Sequence, residues 1–217
     1  MGNTWITIYA TVEGSSIMVR EGDTVILRGG DDSYETGFEH NFFASTIHFN
    51  LSGNINSLIN NGSGWYNNLG TKYYTYKGLF KNCLGLISIK NLRLPAAPIE
   101  GCYDSMFYGC LNLVELSDDN TMSSSTAINC YKSMFENCVK ITEAPILPAT
   151  NLRTGCYSRM FYGCKNLSNI VCYATSIETN ALLDWVTGVA EEGIFTKAAS
   201  TVLPTGNSGI PEGWVIQ

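Results

Sequence analysis

The chain has 217 residues, 45% of them hydrophobic and only 15% charged, where about a quarter is usual for a soluble domain, so Ser, Thr, Asn and Gly must carry much of the surface. Thirteen Lys and Arg against nineteen Asp and Glu leave a net charge of −6, the wrong sign for neutralising phosphates, which argues against a nucleic-acid partner. No apolar run reaches the about 18 residues of a membrane-spanning helix, and residues 1–13 lack the basic start and apolar core of an export signal.

In chain order, Thr4-Trp-Ile-Thr-Ile-Tyr-Ala-Thr-Val12 alternates apolar and polar residues, and 17–20 and 24–28 flank Glu21-Gly22-Asp23. This predicts strand, strand, tight turn, strand. A further strand is predicted over 42–51, with Phe43, Ile47 and Phe49 as its apolar members. Residues 1–60 thus read as a small antiparallel β unit that covers the open first coil of a repeat array, and the Asn- and Gly-rich stretch 60–70 as the junction.

Beyond that junction the sequence repeats. Cys102-Tyr-Asp-Ser-Met-Phe-Tyr-Gly-Cys110 recurs as Cys130-Tyr-Lys-Ser-Met-Phe-Glu-Asn-Cys138 and as Cys156-Tyr-Ser-Arg-Met-Phe-Tyr-Gly-Cys164, with a looser copy at Tyr76-Lys-Gly-Leu-Phe-Lys-Asn-Cys83. Phe80, Phe107, Phe135 and Phe161 are separated by 27, 28 and 26 residues, the period of a solenoid unit. The Tyr-x-x-Met-Phe step spaces apolar groups at i, i+3 and i+4, which predicts one helical turn per unit. Gly109 and Gly163, or Asn82 and Asn137, stand where that turn must reverse and are types that tolerate left-handed angles.

Each unit then ends in an apolar pair three apart: Leu86 and Ile89, Leu113 and Leu116, Ile141 and Ala144, Leu167 and Ile170. With both members inward, one short parallel strand per unit is expected. Its solvent-facing positions are Ser88 and Lys90, Glu115 and Ser117, Glu143 and Pro145, Asn169 and Val171. Leu94-Pro-Ala-Ala and Leu147-Pro-Ala-Thr form corners where proline stops the strand, while 117–128, with Asp118-Asp-Asn-Thr and Ser123-Ser-Ser-Thr, is a looser one. After the array, 179–192 puts Ala181, Leu182, Trp185, Val186 and Val189 on one helical face, predicting an amphipathic capping helix stopped by Gly193.

The pattern Leu-Pro-Ala-Thr followed by Cys-Tyr-x-x-Met-Phe-x-Gly-Cys-x-x-Leu resembles the BspA-like leucine-rich repeats of surface proteins of anaerobic gut bacteria and of related bacteriophage proteins. The stretch from Trp185 through Phe195-Thr-Lys to Gly209-Ile-Pro-Glu-Gly-Trp214 is similar to the end cap of that group. The likeness spans residues 76–217, with departures at Leu79, where the other copies have Met, and at the corner before Ala127. The expected fold is therefore mainly β with short helical turns: an N-terminal β-strand cap over 1–60, a leucine-rich-repeat solenoid of about four repeats over 61–176, and a C-terminal cap with an amphipathic helix over 177–217.

Eight cysteines invite three readings: metal, disulfides or core. Cys83, Cys110, Cys138 and Cys164 share one place in the repeat and Cys102, Cys130 and Cys156 another, while Cys172 follows Ile170 at an inward position. No Cys-x-x-Cys pair exists, which argues against zinc. Reduced, buried ladder cysteines are expected, with disulfides between stacked coils as the alternative. Only His40 and His48 are present, with neither a nucleophile elbow nor a phosphate loop, and a catalytic thiol has no reason to recur in every unit. The acidic stretch 31–39 and the pair Asp118 and Asp119 lack the alternating oxygen ligands of a calcium loop and read as solvated.

No enzyme, cofactor or metal is expected. The resemblance implies a cell-surface or extracellular adhesion or recognition protein for a protein or glycan ligand. A structural or host-recognition component of a bacteriophage particle stands as the alternative. Candidate ligand-binding residues are the strand positions Ser88, Lys90, Glu115, Ser117, Glu143 and Asn169. Tyr108 and Tyr162 compete with them as exposed flat rings on the helical side, suited to stacking on sugars.

Overall fold

The computed structural model describes residues 22–26, 45–58, 73–116 and 122–217. The strands expected at 4–12 and 17–20, the stretch 31–39, the junction 60–70, His40, Ser117, Asp118 and Asp119 lie outside these residues. Of the strand expected at 24–28, the described part, 24–26, belongs to no strand.

The described chain is mainly β, built of very short strands with almost no helix. β1 is Phe49–Asn50 and β2 Gly53–Asn54, followed by a 3-10 turn at Ile55–Leu58. β3 is Leu86–Ser88, β4 Leu92–Arg93 and β5 Asn151–Leu152. β6 is Asn169–Cys172, β7 Ser176–Ile177, β8 Ile194–Lys197 and β9 Val215–Ile216. Every pairing is parallel: β1 with β3, β2 with β4, β5 with β7, and β6 with β8 and then β9. Isolated parallel bridges join Ser88 to Glu115 and Glu143 to Asn169. Of the strand expected over 42–51, the described part, 45–51, contains β1, which runs parallel to β3 rather than within an antiparallel cap, because Phe49 and Leu51 donate their N–H groups to Gly85 and Ser88 and so fall into the register of the following unit.

The segments around the Tyr-x-x-Met-Phe step are where the expectation fails most clearly. They are not helical turns. In 101–110 the N–H groups of Gly101, Tyr103, Ser105, Phe107 and Gly109 donate to carbonyls of the next unit, Ile128, Cys130, Lys132, Met134 and Glu136, at 2.8 to 3.0 Å. The intervening N–H groups, from Cys102 to Cys110, donate three residues back within their own unit at 3.0 to 3.2 Å. The result is a ribbon of overlapping turns, in which every other N–H closes a turn and every other one stacks on the next unit. Helix would consume all of these donors internally and leave none for stacking.

The geometry needs a left-handed residue at every fourth position, and those positions carry positive φ: Gly101 (59°), Ser105 (55°) and Gly109 (69°), then Asn129 (52°), Ser133 (51°) and Asn137 (62°), then Gly155 (65°), Arg159 (54°) and Gly163 (73°). Such angles break an α-helix of L-residues but fit the third position of a type II turn. At the unit ends Asn82, Gly109, Asn137 and Gly163 alternate Asn with Gly along the stack. A Cβ added at Gly109 would collide with Oδ1 of Asn82, and one at Gly163 with Oδ1 of Asn137.

The same ribbon continues through 179–192, in place of the amphipathic capping helix that the apolar spacing predicts. Asn180, Asp184 and Gly188 have φ of 58°, 52° and 73°. Tyr157, Arg159, Phe161 and Gly163 donate to the carbonyls of Ala181, Leu183, Trp185 and Thr187. The apolar face assigned to a helix is real, with Ala181, Leu182, Trp185 and Val186 all buried. Its outer donors are met by a loop: Val186 N–H reaches Asn207 O at 3.2 Å, Asp184 N–H reaches Ser208 Oγ at 2.9 Å, and the Trp185 indole reaches Gly209 O at 2.8 Å.

The core lies between the ribbon and the strands. Phe80, Phe107, Phe135 and Phe161 form one column with centroid separations of 5.6 to 5.9 Å, extended by Trp185 and Phe195. Tyr76, Tyr103, Tyr131 and Tyr157 form a second at 5.3 to 5.9 Å. All eight cysteines are free and buried. The thiols of Cys110, Cys138 and Cys164 donate to the carbonyls of Phe80, Phe107 and Phe135 in the preceding unit at 3.0 to 3.1 Å. A small side chain with a weak donor suits that crowded position.

Candidate functional site

The strand side of the stack gathers four of the sequence-selected residues into one file. Ser88 pairs with Glu115, and Glu143 pairs with Asn169, which pairs with Ile194 of β8, so equivalent positions of the units lie along one side, with no bridge between Glu115 and Glu143 among the described residues. Glu115, Glu143 and Lys90 are exposed and Asn169 is half-buried between its neighbours. Glu115 and Glu143 stand in consecutive units, giving the strip an acidic middle.

Two expected members do not face solvent. Ser88 is only 3% exposed, because the alternation of β3 sends Leu86 and Ser88 to the same inward face before the chain turns at Ile89. Its hydroxyl accepts the Lys90 N–H at 3.1 Å instead of facing a ligand. Pro145 is also buried, and Val171 is half-buried inside β6.

Tyr108 and Tyr162 lie on the ribbon side, but not as open rings. Lys81 Nζ sits 4.9 Å from the centroid of Tyr108, and the guanidinium carbon of Arg159 sits 3.8 Å from that of Tyr162. Both rings are half-buried. The expectation of flat faces free for sugars is therefore corrected: each ring has one face occupied by a cation, an arrangement favoured by the ring quadrupole.

Arg159 is the centre of a network that sequence reading missed. Its Nε and Nη2 donate to the two carboxylate oxygens of Glu136 at 3.1 and 2.5 Å, and Glu136 is only 4% exposed. This hydrogen bonding holds the guanidinium pKa above its ordinary value. The signal was present as one Glu and one Arg at ribbon positions in consecutive units, where turn geometry rather than helix geometry brings them together. At the corner, Glu178 accepts from the N–H and the hydroxyl of Thr154 at 2.9 Å and lies 3.2 Å from Arg153, and the Thr154 bonds lower its pKa.

The thiols offer no nucleophile of ordinary reactivity. Burial pushes Cys102, Cys110 and Cys156 up to about 12 and Cys172 up to about 11. Cys83, Cys130, Cys138 and Cys164 are raised by the same cause. Thiolate, the reactive form, is suppressed in such surroundings. Among the described residues no group of three or more His, Cys, Asp or Glu is placed to hold a metal ion, and no helix is long and apolar enough to cross a membrane. A groove of about 390 Å³ lies between the last ribbon and its covering loop, lined by Val186, Gly188, Val189, Glu191, Asn207 and Glu212 among others. It is separate in the fold from the strand-side strip.

Comparisons with protein-family models, with curated proteins and with solved structures returned no match for this chain.

Proposed function

We propose that the stacked units form a leucine-rich-repeat solenoid of the BspA-like kind and that the protein is a non-enzymatic surface protein for adhesion or recognition of a protein or glycan ligand. The observation that carries the reading is the run of exposed Lys90, Glu115 and Glu143 and half-buried Asn169 along the strand side, where parallel bridges pair Glu115 with Ser88 and Glu143 with Asn169. Extended files of this kind are how stacked-repeat proteins present recognition surfaces. The buried, protonated thiols and their use as hydrogen-bond donors to the core favour binding over catalysis. A second reading, a structural or host-recognition component of a bacteriophage particle, is favoured by the continuous ring columns, which suit a stiff spacer.

The test is binding to bacterial cells and extracted glycans by three proteins: the parent, Glu115→Lys with Glu143→Lys, and Tyr108→Ala with Tyr162→Ala. The lysine pair should keep the fold, since exposed substitutions usually shift stability by less than about 0.5 kcal/mol. Loss of binding in the lysine pair alone supports recognition by the strand strip. Binding lost only in the alanine pair moves the site to the ribbon side. Binding unaltered in both overturns recognition by the repeats and leaves the spacer reading.

A further inference from the structure

Two junctions of the strand side follow one rule, and among the described residues the junction between them departs from it. Between the first and second units Val114 N–H donates to Ile87 O and Ile89 N–H to Glu115 O, both at 2.9 Å. Between the third and fourth, Ser168 N–H donates to Thr142 O and Ala144 N–H to Asn169 O, again at 2.9 Å. The same register between the second and third units would join Thr142 N–H to Val114 O and Leu116 N–H to Glu143 O. Neither bond forms, and among the described residues no main-chain hydrogen bond links 113–116 to 141–144. What remains on that side is an exposed side-chain contact, Lys140 Nζ to Asn112 Oδ1 at 2.7 Å.

The ribbon side of the same junction is complete. Its main-chain bonds run from Gly101 to Gly109 without a gap, Tyr103 stacks on Tyr131 at 5.3 Å and Phe107 on Phe135 at 5.6 Å, and Cys138 Sγ donates to Phe107 O. One edge of the interface is therefore fastened and the other is not. At the unfastened edge Glu115 and Glu143 hold equivalent positions of the two units, opposite each other in the register that the junctions on either side follow. Both are exposed, and neither forms an ion pair among the described residues. Like charges placed opposite each other across adjacent strands oppose pairing.

We propose that the junction between the second and third units is a hinge, with the ribbon as its axis and the strand edge kept from pairing by the like charges of Glu115 and Glu143 at equivalent positions. Hinges absorb their motion in a few positions while the packed bodies on either side stay rigid. Here those bodies are the first two units and the units from the third onward, and opening changes the curvature of the strand face.

Backbone hydrogen exchange resolved to single amides tests this on the whole chain. The amides of Leu116 and Thr142 should exchange at least about tenfold faster than their counterparts Ile89 and Ser168, while Tyr103 and Phe107 on the axis stay protected, as expected for local rather than global opening. In the double variant Glu115→Gln with Glu143→Gln, the exchange of Leu116 and Thr142 should slow towards that of Ile89 and Ser168. Equal protection of the four amides in the parent overturns the hinge. Fast exchange that the glutamine pair leaves unchanged overturns the role of the two carboxylates, and with it the proposal as stated. Protection of Tyr103 and Phe107 in the variant shows that it is folded, so a slowing or its absence is read on a native stack.

Discussion

Phe135 sits in the middle of the longer ring column, fully buried, with Phe107 5.6 Å away on one side and Phe161 5.9 Å away on the other. Replacing it with Ala removes a ring that the neighbouring units cannot supply, because each is fixed by its own hydrogen bonds to the next. Loss of a buried Phe costs about 3 to 5 kcal/mol, and each stacked partner adds about 0.5 to 1.5 kcal/mol beyond burial, so the expected total is about 4 kcal/mol or more. Urea unfolding followed by circular dichroism measures it. Since stacked units contact mainly their neighbours, the loss falls on the interfaces at the centre, and the slope of the transition should fall as the array divides into separately unfolding halves. Phe135→Leu, which refills part of the space, should cost less and keep the slope. A loss below about 1 kcal/mol for Phe135→Ala would show that the column relaxes freely, and the account of a close-packed ladder would be wrong.

The buried thiols make a second prediction, concerning alkaline pH. Their unfolded pKa is near the ordinary value of 9.0, while burial raises Cys102, Cys110 and Cys156 to about 12. Between those values the unfolded chain binds fewer protons than the folded one, so their contribution is whole below the unfolded pKa and is lost as pH rises, by up to about 1.4 kcal/mol per thiol per pH unit. The urea midpoint should fall steeply from pH 8 to pH 10, with iodoacetamide labelling few cysteines in native buffer; an unchanged midpoint counts against burial of the thiols. A third prediction concerns the Tyr157 hydroxyl, which is buried without a hydrogen-bond partner, whereas the Tyr76 hydroxyl donates to Asn56 Oδ1 at 2.6 Å. Tyr157→Phe should be neutral or stabilising by up to about 1 kcal/mol and Tyr76→Phe destabilising by a similar amount, so thermal melts showing the reverse order would contradict the assignment of partners.

The repeat, its period and its inward residues were legible in the sequence, because identical residues recur only where identical surroundings recur. The Phe and Tyr columns and the two cysteine columns follow directly from it. The local conformation was not legible from the apolar residues, since spacing at i, i+3 and i+4 suits a helix and this turn ribbon equally. The discriminating signal lay in the polar residues: Gly101, Ser105 and Gly109, or Asn129, Ser133 and Asn137, recur every four residues and take positive φ, which a helix forbids. Asn180, Asp184 and Gly188 carry the same signal in the stretch whose apolar face suggests a capping helix. On the strand side, the place of Ser88 depends on where the strand begins, and a shift of one residue exchanges the inner and outer faces. The Arg159 to Glu136 pair was invisible for a related reason, since its geometry depends on which ribbon side chains rise over the next unit.

The direction of the ribbon's stacking bonds gives the molecule an electrical axis. In every unit the stacking N–H groups point towards the following unit and the carbonyls they meet point back, as with Phe107 to Met134 and Phe135 to Met160. Peptide dipoles aligned in this way add, as they do along a helix, although almost no helix is present. Strands contribute little to the sum, because their bonds alternate in direction. The positive pole therefore lies beyond the last ribbon, where Asn207 O, Ser208 Oγ and Gly209 O accept its outer donors and where the carboxylates of Glu191 and Glu212 line the adjoining groove. The opposite end of the ribbon is the negative pole, so the two ends call for opposite chemistry in whatever covers them.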